Sequence, residues 1–80
     1  MSKVIVTPKA QKQFNHLPSP QQKKILKKLT SLETNPESGK KLSGELSDLR
    51  SLRAWPYRII YYIDQDKIYI TTIIHRQGAY

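Results

Sequence analysis

Arg53, Arg58, His75, Arg76 and Tyr80 all fall in the last thirty residues of this 80-residue chain. Guanidinium groups, an imidazole that titrates near neutrality and a phenol are side chains that grip a phosphodiester and move its protons. Arg53 precedes Arg58 by five residues, with Trp55-Pro56 between them. If that dipeptide is a turn, the two arginines meet across a strand pair. Like charges opposed on a sheet are destabilising, and an anion between them relieves the repulsion. The alternative is a pair of solvated edge arginines. His75 and Arg76 are adjacent, and Tyr80 follows Arg76 by four residues, with Gly78 supplying a bend. His16 and His75 lie far apart in a chain with no cysteine, a poor donor set for a metal. No metal and no cofactor is expected.

These side chains need a sheet to hold them. Residues 49–54, 57–63 and 67–75 are rich in Ile and Tyr and are separated by turn signals at Trp55-Pro56 and Asp64-Gln65-Asp66. Alternation along residues 57–63 puts Arg58, Ile60 and Tyr62 on one face, and Tyr57, Ile59, Tyr61 and Ile63 on the other. Upstream, Val4-Ile5-Val6 reads as an opening strand. Thr7-Pro8 starts a helix with Thr7 as N-cap and an apolar face of Ala10, Phe14 and Leu17, ended by Pro18. Ser19-Pro20-Gln21-Gln22 starts a second helix, with Ser19 as N-cap and Gln22 completing a capping box. Its stripe is Ile25, Leu26, Leu29 and Leu32, and Asn35-Pro36 stops it. Residues 35–48 form a polar connection tacked down by Leu42 and Leu46. The expected fold is α+β in the order β-α-α-β-β-β, a small antiparallel meander with a helical hairpin on one face. Its other face is left for a ligand, and residues 1–80 make a single domain.

Charge bounds the partners. Fourteen Lys and Arg against six Asp and Glu give a net charge of +8, which favours polyanions through long-range attraction and counterion release. Lys23, Lys24, Lys27 and Lys28 surround the second helix's stripe, either as a solvated face or as a patch steering the protein onto a nucleoprotein. No apolar run approaches the roughly twenty residues of a membrane span. The opening Val4-Ile5-Val6 run is too short for a signal-peptide core, so a cytoplasmic protein is expected.

Taken together, Leu52-Arg53, Tyr57-Arg58-Ile59-Ile60-Tyr61, Lys67-Ile68-Tyr69-Ile70, His75-Arg76 and the closing Tyr80 resemble the RelE/ParE toxin superfamily of toxin–antitoxin pairs. The resemblance runs over the whole chain. It implies a ribosome-dependent mRNA endonuclease that cuts in the A site without metal, through attack of the mRNA 2′-hydroxyl on its own 3′ phosphate. It also implies a neutralising RelB-like antitoxin encoded next to the toxin and a hetero-oligomeric complex with it. By resemblance, Arg58 is the phosphate clamp, Arg76 the second arginine, Tyr80 the closing aromatic and His75 an acid or base. Arg53, Arg50 and the four lysines of the second helix would bind RNA. RelE-type enzymes often carry lysines on the strand before the tyrosine–arginine pair, and here those positions are Leu49 and Ser51. The same superfamily implies an alternative, a ParE-like toxin that inhibits DNA gyrase by binding, and a third, a non-catalytic binding module.

Overall fold

Alternating apolar side chains on three consecutive strands need a cover, and the N-terminal helices supply it. The computed structural model describes residues 3–41 and 48–75. Strand β1 (Lys3–Val6) leads into helix α1 (Pro8–Asn15) and helix α2 (Ser19–Thr34). A 3₁₀ turn (Pro36–Ser38) and a two-residue strand β2 (Lys40–Lys41) follow. Strands β3 (Arg50–Ala54), β4 (Tyr57–Asp64) and β5 (Lys67–His75) complete a five-stranded sheet in the order β1-β5-β4-β3-β2.

The α+β class, the helical hairpin and the β3-β4-β5 meander are as expected. Two features differ. β1 pairs with β5 in parallel, Val4 opposite Ile68 and Val6 opposite Ile70, so the sheet is mixed rather than purely antiparallel. The connection after α2 contains β2, which pairs with β3. Two adjacent lysines carry no apolar alternation, so periodicity gives no strand signal there. Leu42 and Leu46 lie outside the described residues.

Ile25, Leu29 and Leu32 of α2 and Ala10 of α1 pack on Ile59, Tyr61, Ile68, Ile70 and Ile73 of the sheet. Each buried Ile or Leu contributes about 1.5–3 kcal/mol over its exposed state, so this single layer dominates the stability of a short chain. Leu26 departs from the predicted stripe and is 51% exposed. At 100° per residue it sits one step around from Ile25, at the rim of the buried stripe.

The helix ends are tied differently from the capping expectation. Thr7 is the N-cap of α1 and Pro8 its first residue, as expected, but the Thr7 hydroxyl makes no cap bond and donates instead to the Ile70 carbonyl at 2.7 Å, joining the start of α1 to β5. Ser19 lies inside α2, whose N-cap is Pro18, and its side chain makes no cap bond. Gln22 reaches across the hairpin, its Nε2 donating to the Phe14 carbonyl at 3.1 Å. That carbonyl also accepts the Leu17 N–H at 3.0 Å, so the Gln22 amide adds a second donor at the C-terminal end of α1. On the sheet, Gln13 Oε1 accepts the Ile73 N–H at 2.7 Å. This bond lies beside an irregularity in which Ile60 pairs with Thr72 and Tyr61 with Ile70, leaving Thr71 as the extra residue. Such a bulge bends and twists its strand. Among the described residues no helix is long and apolar enough to cross a membrane.

Candidate functional site

The expected meeting of Arg53 and Arg58 is observed. They are direct cross-strand partners in the β3–β4 ladder, next to the Trp55–Pro56 turn, whose peptide bond is cis. Their neighbours Leu52 and Ile59 point into the core, so both arginines stand on the face away from the helices. One step along the ladder, Ser51 pairs with Ile60, and Lys40 of β2 pairs with Ser51. Lys40, Ser51, Arg53 and Arg58 line a recess of about 140 Å³. Several waters fit there, each about 30 Å³ in the liquid, or one phosphate group. Ile60 is on this same face yet only 3% exposed, an apolar residue buried between its polar neighbours.

A two-residue edge strand cannot hold Lys40 in place by pairing alone. The fixing comes from Tyr61, which is fully buried on the helix side of β4. Its hydroxyl donates to the Pro36 carbonyl at 2.8 Å and accepts the Gly39 N–H at 2.9 Å. Arg50 Nη1 donates to the Gly39 carbonyl at 3.2 Å. Both backbone polar groups of the residue before Lys40 are therefore engaged. Glycine is required there by space: a methyl group would run into the Tyr61 hydroxyl and stand 2.8 Å from its ring carbon Cε1. Burial pushes the Tyr61 phenol above its ordinary value of 10.0, against smaller lowering effects from the Gly39 bond and the Arg50 charge. The hydroxyl therefore stays a donor well into the alkaline range.

The remaining expected site residues scatter. His75 pairs with Tyr57, and their rings meet edge to face at 5.4 Å. The residue opposite Arg58 is Ile74, so His75 emerges on the other face of β5 from the recess. Arg50 faces the helix side, where it holds Gly39. Lys23, Lys24, Lys27 and Lys28 belong to α2, across the sheet from the recess. Lys24 Nζ donates to the Trp55 carbonyl at 2.7 Å, tying the helix to the β3–β4 turn. Arg76 and Tyr80 lie outside the described residues. Lys40 and Ser51 are recess residues that the sequence does not single out: Ser51 stands where related enzymes often carry a lysine, and nothing local in the sequence aligns Lys40 beside it.

Further along the recess face, Tyr62 and Tyr69 are cross-strand partners whose rings stack at 5.0 Å and 17°. On the helix side, Val6, Gln11, Phe14, Leu26, Leu29 and Ile73 line a mainly apolar groove of about 190 Å³.

A family model described as the ParE toxin of type II toxin–antitoxin systems, parDE, matches residues 4–80. No curated protein matches. Among solved structures, the RelBE2 toxin–antitoxin complex of Mycobacterium tuberculosis superposes with a TM-score of 0.87 at 28% identity, over 94% of this chain and 98% of that one. The RelE–RelB complex of the archaeon Pyrococcus horikoshii gives 0.79 at 26% identity, over 98% of each chain. The isolated RelE toxin of E. coli gives 0.79 at 24% identity, over 99% of this chain and 88% of that one, a likeness of fold.

Proposed function

The chain belongs to the ParE toxin family of type II toxin–antitoxin systems, and we propose that it acts as a ribosome-dependent mRNA endonuclease whose phosphate grip is the Arg53–Arg58 recess. The supporting observation is that recess, where three cations and a hydroxyl converge on one pocket. Holding like charges face to face costs stability, and a phosphodiester placed between them turns that cost into binding.

In the proposed reaction the 2′-oxygen attacks the adjacent phosphorus, and the bond from phosphorus to the 5′-oxygen breaks. One proton leaves the 2′-hydroxyl and one is delivered to the departing oxygen. The products are a cyclic phosphate and a free 5′-hydroxyl. Arg58 and Arg53 hold the non-bridging oxygens, where negative charge grows in the transition state. Preorganised cations in such a position are worth several kcal/mol. By family resemblance we assign Arg76 as the second arginine and Tyr80 to base stacking or proton transfer. His75, on the other side of β5, serves as acid or base only from the strand end. An arginine stays protonated and is a poor general base, so the proton steps belong to the C-terminal residues.

The partner we propose is a RelB-like antitoxin, the class of partner named in the M. tuberculosis and P. horikoshii complexes. On this chain we propose that it wraps the helices and a sheet edge as an acidic or amphipathic segment. A ribosomal target places the protein in the cytoplasm. A second reading, inhibition of DNA gyrase by binding, is favoured by the match to a ParE model. One experiment separates the two: purified protein is added to translating ribosomes with mapping of mRNA 5′ ends, beside a gyrase supercoiling assay. Codon-phased cuts that vanish in Arg58→Ala and Tyr80→Ala establish the nuclease. Intact mRNA with arrested supercoiling replaces it with the gyrase reading.

A further inference from the structure

We propose that Lys40 is the third phosphate-binding cation of the recess, supplied from the edge strand β2 at the place where β3 offers only Ser51. The inference rests on the recess being a phosphate site and adds a residue that neither charge pattern nor strand alternation singled out. Ser51 pairs with Lys40 on one side and with Ile60 on the other, so the lysine stands one strand further out than the arginine pair. Its side chain nevertheless lines the same recess as Arg53 and Arg58. A serine at the intervening position leaves space for a long stem to pass and adds a hydroxyl that can donate to a phosphate oxygen. The two arginines supply rigid, planar forks, whereas the ammonium is a compact charge on a flexible stem, able to follow the phosphate as its geometry changes.

Position, not charge alone, distinguishes this lysine. Lys41 is adjacent, equally basic and likewise exposed. It pairs with Arg50 and lines a different recess, together with Glu37, Asp48, Arg50, Tyr62, Ile63 and Asp64. The Lys40 backbone is anchored one residue upstream, where Tyr61 and Arg50 take both polar groups of Gly39. A lysine on an unanchored loop would lose more side-chain and backbone freedom on binding, which opposes the affinity gained. Here that ordering is already in place.

The test measures binding of a short fluorescent 2′-O-methyl-uridine oligomer, which cannot be cleaved, by anisotropy across a salt series. Lys40→Ala is expected to weaken binding several-fold and to lower the slope of log affinity against log salt by about 0.7, the contribution of one phosphate contact to a single strand. Lys41→Ala, the charge-matched control, is expected to leave both nearly unchanged. The double variant Lys40→Ala/Ser51→Lys, which moves the ammonium one strand inward, is expected to regain most of the lost affinity and slope. Equal effects of Lys40→Ala and Lys41→Ala, or no recovery in the double variant, overturn the role of Lys40. In that case a loss in Arg58→Ala still upholds the arginine recess. If Arg58→Ala binds as the unaltered protein does, the recess itself is not the phosphate site.

Discussion

Arg58 gains its importance from what stands opposite it. A guanidinium facing water is a solvated charge, but one facing Arg53 across a ladder becomes, in the proposed function, half of an anion clamp. Replacing Arg58 with alanine should lower mRNA cleavage by about 10²- to 10³-fold, the usual effect of removing one preorganised charge donor. Lysine at the same position should restore only part of it, because an ammonium lacks the planar fork. Single-turnover rates on programmed ribosomes decide both points. The clamp should also be visible without any reaction. Phosphate at roughly ten times its dissociation constant stabilises the folded state by about 1.4 kcal/mol, worth about 6–11 °C in melting temperature for a chain of this size. Arg53→Ala should lose most of that shift in a thermal melt, and an unchanged shift would separate the arginines from the anion. The pair itself was legible in the sequence, since a five-residue spacing across a proline turn with strict alternation leaves little freedom in register. The exclusion of His75 from the recess was not. It depends on a sheet irregularity near Thr71, an offset that a period-two pattern does not carry.

At the scale of elements, the junction between the 3₁₀ turn, β2 and β4 decides whether the recess exists. Tyr61 and Gly39 are 22 residues apart and form one unit, phenol against bare backbone. Tyr61→Phe strands the Pro36 carbonyl and the Gly39 N–H, and should cost about 1–3 kcal/mol in denaturant unfolding. Gly39→Ala should cost at least as much, because the phenol that fills the space is itself locked in the core. The buried hydroxyl gives the first effect a pH signature. Its pKa is raised in the folded protein above the ordinary 10.0, so it contributes stability in full below that value and loses it as pH climbs through the folded value. The stability difference between the unaltered protein and Tyr61→Phe should therefore be constant through neutrality and shrink on the alkaline side. Urea melts at pH 7 and above pH 10 check this, and a difference that grew with pH would contradict it. Long elements with apolar periodicity were legible: both helices and all three meander strands stand where pattern and proline signals put them. β2 was not, since a strand of two lysines exists only because distant residues hold it. The capping roles of Ser19 and Gln22 failed for a related reason. A short hairpin places the Phe14 carbonyl within reach of Gln22, whose amide bonds there and not back to the start of its own helix.

Across the whole molecule, the sheet separates two chemistries. One face carries the cationic recess; the other carries α2, with Lys23, Lys24, Lys27 and Lys28, the exposed Leu26 and the apolar groove beside it. The molecule measures 31 × 28 × 21 Å. Helix α2, with a diameter of about 10–12 Å, lies between its outer lysines and the sheet, a span beyond the screening length of about 8 Å at physiological salt, so those charges contribute little to the field in the recess. The net charge of +8 should therefore act in two separable ways, local grip at the recess and long-range steering by the helix face. Reversing Lys23 and Lys27 to glutamate should slow association with ribosomes or with an acidic antitoxin by about tenfold at low salt, and flatten the salt dependence of the on-rate. Oligomer binding at the recess should stay within about twofold, because the reversed charges lie beyond a screening length. Both lysines are exposed, so stability should move by no more than about 0.5 kcal/mol. Stopped-flow association beside oligomer anisotropy on the same protein reads both quantities. A matched fall in the two would mean that the faces act as one electrostatic surface, and the division of labour across the sheet would have to be abandoned.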